Sequence, residues 1–77
     1  MCVDLVVLAS AHRHGVSEEA IRHAVSHYVD LFDVGDGLTM VNGPDLTGEL
    51  IEVGIVERYG DLYAVHAIRP ARNKFLR

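Results

Sequence analysis

Apolar and polar positions change rhythm once along this chain. Up to Tyr28 they recur at helical spacing, and beyond it they alternate in short runs separated by turn residues. Leu5, Leu8, Ala9 and His12 share one helical stripe, and Gly15 is placed to end it in a left-handed cap, so a first helix is expected over about residues 4–14. A strand from Cys2 to Leu8 competes with it, because Val3, Val6 and Val7 are β-branched. Ser17 reads as an N-cap with Glu18 and Glu19 in the first turn, where the helix dipole favours carboxylates. Ile21, Ala24, Val25 and Tyr28 follow on one face, predicting a second helix over about residues 18–28.

The alternating part predicts four strands: Val29 to Val34, Leu38 to Val41, residues 49–59, and Leu62 to about Ile68. Gly35-Asp36-Gly37 closes the first hairpin, Asn42-Gly43-Pro44-Asp45 makes a looser connection, and Gly60-Asp61 suits a two-residue turn with glycine first. Pro70 stops the last strand. The expectation is one domain over residues 1–77, an α+β fold with two N-terminal helices packed on one face of a four-stranded antiparallel sheet. Ile21, Val25, Ile51, Val53 and Ile55 are its expected core.

Composition narrows the picture. A chain of 77 residues supports one domain, and with 49% apolar but only 6% aromatic residues its core is built from Val, Leu, Ile and Ala. Domains this small bury about 60% of their unfolded surface, so a partner or a homodimer contact is expected to complete the core. Cys2 is the only cysteine, which excludes an internal disulfide and a thiolate zinc cluster and favours a reducing cytoplasm. The stretch Val3–Ala9 is broken by Asp4, lacks a preceding basic cluster, and is far shorter than the roughly 20 residues of a bilayer span, so neither a signal peptide nor a membrane segment is expected.

Charge is unevenly distributed. Arg69, Arg72, Lys74 and Arg77 close the chain without an acid among them, and a net charge of −4 leaves residues 1–68 with three basic residues against eleven acidic ones. An acidic body with one basic end favours local recognition of an anionic surface over general polyanion binding. Phe75 and Leu76 interleave with those cations and are expected to fix them against the body.

Five histidines are candidates for chemistry. His23 and His27 are spaced for two imidazole ligands on one helix face, and His12 and His14 lie nearby in sequence, but no third ligand is placed by spacing, so exposed surface histidines are expected and no metal or cofactor. His66 differs because it interrupts an apolar strand shortly before Arg69 and Arg72. A histidine beside cations can transfer the proton in RNA cleavage while arginines hold the scissile phosphate, which makes His66, Arg69 and Arg72 the candidate catalytic residues. The alternative is a histidine that packs against the core. A turn at Gly60-Asp61 pairs Tyr59 with Leu62 and sets His66 opposite Ile55 on the apolar face, with Glu52, Arg58, Tyr63 and Arg69 on the other; a one-residue slip reverses this, and both registers stay open.

Three segments, His14–Ala20, Gly43–Val53 and Val65–Leu76, carry a resemblance to small RelE/ParE-superfamily toxins of the BrnT type. The resemblance implies two helices before a four-stranded antiparallel sheet, a metal-independent endoribonuclease that inhibits translation with or without the ribosome, and a cognate DNA-binding antitoxin of ribbon-helix-helix type. It further implies RNA contacts from Arg58, Tyr63, Lys74 and Arg77, while the thin core and the uncompensated cations of the basic end lead to the expectation that the antitoxin docks an acidic, partly apolar segment over Arg69, Arg72 and Lys74. Such toxins are usually basic, whereas this body is acidic. The rival expectation is a non-catalytic interaction domain of the same fold.

Overall fold

The structure, a computed structural model, describes residues 5–71. Its elements are strand β1 (Leu5–Val7), a 3-10 turn (Ala9–His12), helix α1 (Glu18–Ser26), and strands β2 (Asp30–Gly35), β3 (Leu38–Pro44), β4 (Leu50–Arg58) and β5 (Asp61–Ile68). Helix α1 forms for the local reasons its sequence carries. The Ser17 hydroxyl accepts the Ala20 amide at 3.2 Å, Glu18 and Glu19 occupy the first turn, and the Glu18–Arg22 pair closes at 2.9 Å. Its buried stripe is Ala20, Ile21 and Ala24.

The five strands form one sheet in the order β1-β5-β4-β3-β2. Strands β2 to β5 run as an antiparallel meander, and β1 adds to β5 in parallel, matching Leu5 with Leu62 and Val7 with Ala64. Helix α1 crosses β3 and β4, and at Gly43 the two backbones are so close that a Cβ there would stand 2.0 Å from the Ala24 carbonyl oxygen. Ile21, Ile51 and Val53 are fully buried between helix and sheet. Ile55 is also buried, while Val25 is only partly covered and packs on the edge of this core.

The expected architecture is corrected in two respects. The fold has one α-helix and a five-stranded mixed sheet, not two helices on a four-stranded antiparallel sheet. The expected first helix over residues 4–14 is replaced by β1 and the 3-10 turn, because Leu5 buries beside α1 while Val6, 44% exposed, faces the opposite way, an alternation that a strand satisfies and a helix does not. Gly15 does take a left-handed conformation (φ 79°), but it lies beyond the 3-10 turn, its amide donating to the His12 carbonyl at 3.0 Å. Cys2 and Val3 of the competing strand lie outside the described residues.

The β4–β5 hairpin is corrected as well. Its turn is Tyr59-Gly60, with φ of 54° and 84°, so Arg58 pairs with Asp61. Two positive φ values match the right-handed twist of the flanking strands, as in a type I′ turn. Val65 is then an extra residue: Ile55 pairs with Ala64 but Gly54 with His66. This bulge puts His66 on the face away from α1, beside Gly54 and not Ile55.

Candidate functional site

The sheet face remote from α1 holds polar groups that a one-sided sheet would leave in water. Asn42 and Glu52 are paired neighbours on β3 and β4, and both are buried, at 4% and 3% exposure. Glu52 Oε2 is 3.4 Å from His66 Nε2, and the imidazole remains 31% exposed. A carboxylate facing Nε2 favours the proton on that nitrogen, which leaves Nδ1 as the acceptor. His14, carried past the sheet edge by the segment after the 3-10 turn, presents its ring to His66 edge to face, with centroids 5.8 Å apart. Ser10 anchors this segment by donating to the Val65 carbonyl at 2.9 Å, the bulge residue itself. Two imidazoles and one carboxylate thus meet at a partly open surface, a set that can accept a proton on one ring and donate from the other.

Beside it, Arg58 and Tyr63 line a groove of about 320 Å³ with Leu8, Val56, Tyr59 and Val65. Val56 pairs with Tyr63 on the same face as His66, so the groove lies on the histidine's side of the sheet. A phenol and a guanidinium over an apolar floor can stack and charge-pair with a nucleotide.

Arg69 lies elsewhere. Its Nε donates to Asp45 Oδ2 at 3.1 Å, its Nη2 reaches the same oxygen at 3.0 Å, and Nε is 3.3 Å from Glu49 Oε1. Asp45 itself is buried in the β3–β4 connection, where its Oδ1 accepts the Thr47 hydroxyl at 2.7 Å and the Thr47 and Glu49 amides at 2.9 and 3.0 Å. The Thr47 hydroxyl, the two amides and Arg69 together hold the Asp45 carboxyl down to about 2, although burial pulls the other way. Arg69 is therefore a guanidinium already facing two carboxylates, pinning the end of β5 to the β3–β4 connection. Arg72, Lys74 and Arg77 lie outside the described residues.

Of the sequence candidates, the structure brings Arg58, Tyr63 and His66 to one face and directs Arg69 into the Asp45 cage. Glu52 and Asp45 are not among the sequence candidates, and His14 is one only as a metal ligand, set aside with the other helix-region histidines. Glu52 reads as the solvent-side member of an alternating strand, and only the bulge at Val65 brings His66 to it. His23 Nδ1 contacts the Pro44 carbonyl at 2.8 Å, and its ring lies 4.5 Å from that of His27. Among the described residues no three His, Cys, Asp or Glu side chains gather as a metal site, and no helix is long and apolar enough to cross a membrane.

Compared with models of protein families, with curated proteins and with solved structures, the chain matches none, so its likeness to RelE/ParE toxins rests on the three sequence segments alone.

Proposed function

We propose that the protein is a small metal-independent endoribonuclease of toxin type, with its reaction centre at His66. The observation that carries this reading is the contact of His66 with a buried carboxylate on one side and a second imidazole on the other. His66 accepts the proton of a ribose 2′-hydroxyl as that oxygen attacks the adjacent phosphorus. The bond from phosphorus to the 5′-oxygen breaks, and this oxygen takes a proton from the His14 imidazolium, giving a 2′,3′-cyclic phosphate and a 5′-hydroxyl end. Glu52 orients His66, and Tyr63 and Arg58 hold the flanking nucleotide. Since Arg69 is engaged by Asp45 and Glu49, phosphate contacts fall to Arg58 and to the sequence-expected Arg72, Lys74 and Arg77. Control by a ribbon-helix-helix antitoxin belongs to the same reading.

One observation favours a second reading, a non-catalytic interaction domain: the same capping of Arg69 removes a cation from phosphate chemistry. Incubating purified protein with single-stranded RNA in the presence of a chelator decides between them. Cleavage with cyclic-phosphate ends, reduced about 100-fold by His66→Ala in a folded variant, is expected. A folded parent that leaves the RNA intact, or a His66→Ala variant that cleaves as fast as the parent, rejects the nuclease.

A further inference from the structure

We propose that the opposite face of the sheet, beside α1, docks a basic amphipathic helix of another protein, independently of the chemistry at His66. Helix α1 has nine residues, a length of about 13 Å at 1.5 Å per residue. It covers β3 and β4 around Gly43 and Ile51 and stops before the hairpin tips. The uncovered remainder of that face is an apolar groove of about 280 Å³ between Val25, Tyr28, Leu31, Val41, Ile55 and Leu62. It opens into a concavity of about 550 Å³ at the tips, with which it shares Thr39, Ile55 and Leu62. Tyr28 and Leu31 are 53% and 52% exposed, and Val29 next to them is 60% exposed. An apolar sheet face ordinarily buries against a second layer, and among the described residues α1 supplies that layer only in part.

The rim identifies the occupant. Asp33, Asp36 and Glu57 line the wider concavity, and no ion pair among the described residues engages them. Arg22 and Arg69 are committed to Glu18, Asp45 and Glu49, and Arg58 lines the groove on the other face. A second copy of this chain docked face to face would oppose three carboxylates to three. A helix with apolar residues at i, i+3, i+4 and i+7 and Lys or Arg on its flanks fills the groove and neutralises the rim. This surface differs in polarity from the basic end expected from the sequence to take an acidic segment, and Arg69, the described residue of that end, lies at the β3–β4 connection.

The test uses an 18-residue peptide with Leu at i, i+3, i+4 and i+7 and Lys at the flanking positions, a scrambled peptide of the same composition, and a third with Glu replacing Lys. Each is titrated into the isotope-labelled full chain and followed by amide NMR. The amphipathic Lys peptide is expected to bind, shifting the amides of Leu31, Thr39, Ile55 and Leu62, with the other two at least tenfold weaker. The double variant Asp36→Asn and Glu57→Lys, both at exposed positions, with Asn retaining tolerance of the left-handed turn conformation, is expected to bind the Lys peptide at least tenfold more weakly, and Leu31→Ser likewise. Equal binding of the scrambled peptide, shifts confined to the His66 face, indifference to the double variant, or a protein that is already dimeric through this groove by NMR and mass each overturn the proposal. RNA cleavage reports on the other face, so its absence leaves this result unaffected.

Discussion

Gly54 stands directly opposite His66 across β4 and β5, and a Cβ added at position 54 would lie 3.2 Å from the His66 Cβ and 3.3 Å from Met40 Sδ. The thioether can swing aside, but the His66 Cβ is fixed to a strand backbone that already accommodates the Val65 bulge. Glycine is thus what allows the His66 side chain to approach β4 this closely, within reach of Glu52. Gly54→Ala is expected to cost about 1–3 kcal/mol in urea unfolding and to shift the His66 ring signals in NMR. If the protein is a nuclease, cleavage falls by more than the folded fraction does. A variant with parental stability and unchanged His66 signals would show that the close approach has no role in placing the ring.

The contact between Gly43 and Ala24 is tighter and involves backbone on both sides. With a Cβ at 43 placed 2.0 Å from the Ala24 carbonyl oxygen, α1 must lift from β3. Lifting it uncovers Ile21 and Ile51, both fully buried. Gly43→Ala is expected to destabilise the fold by at least about 3 kcal/mol, the upper end for overpacking. Equilibrium urea unfolding measures this, and a loss under 1 kcal/mol would mean that α1 is not held down at this point.

Helix α1 was legible because everything that specifies it, from Ser17 to Ala24, lies within one short stretch. Strand β1 was legible only as the competing reading carried by its β-branched valines, since its partner is Leu62–Ala64, more than fifty residues downstream, and Leu5, Leu8, Ala9 and His12 match helical spacing without forming a buried stripe. The meander was legible from alternation, whereas its register was not. Glycine-first turn chemistry favours Gly60-Asp61, yet the chain turns at Tyr59-Gly60, with the fully exposed Tyr59 in a left-handed conformation that sequence preference rates as uncommon. A slipped turn and a bulge together decide what His66 faces. The histidine itself could be singled out as a polar residue in an apolar strand, but its neighbours Glu52 and His14 come from two other elements. Arg69 carried a charge that sequence could see and a partner, Asp45, that it could not.

The thin core concentrates stability in few side chains. Ile51 is completely buried and Leu31 is half exposed, so the same truncation has different consequences at the two sites. Ile51→Ala is expected to cost about 2–5 kcal/mol and Leu31→Ala under about 1 kcal/mol in the isolated protein. Thermal and urea unfolding of the two variants side by side checks the ordering. Equal losses would mean that Leu31 is covered in solution, which a self-associated state through the α1-side groove would produce.

The Asp45 cage makes stability depend on acid. The carboxyl is held at about 2 in the folded chain against an ordinary 3.8, so the unfolded chain takes up its proton first as the pH falls. The stabilisation is therefore fully present above about pH 4 and is lost between there and about pH 2. The Thr47 hydroxyl and the Arg69 guanidinium both stabilise the carboxylate, so Thr47→Val and Arg69→Gln should each raise the Asp45 carboxyl. Carbon-detected NMR titration of the Asp45 carboxyl in the three proteins measures both shifts directly. Asp45→Asn should remove this part of the acid dependence, so that parent and variant differ most in stability above pH 4 and converge toward pH 2. A parent carboxyl titrating near 3.8, or a gap between parent and variant that widens on acidification, would mean that the cage does not hold the charge in solution.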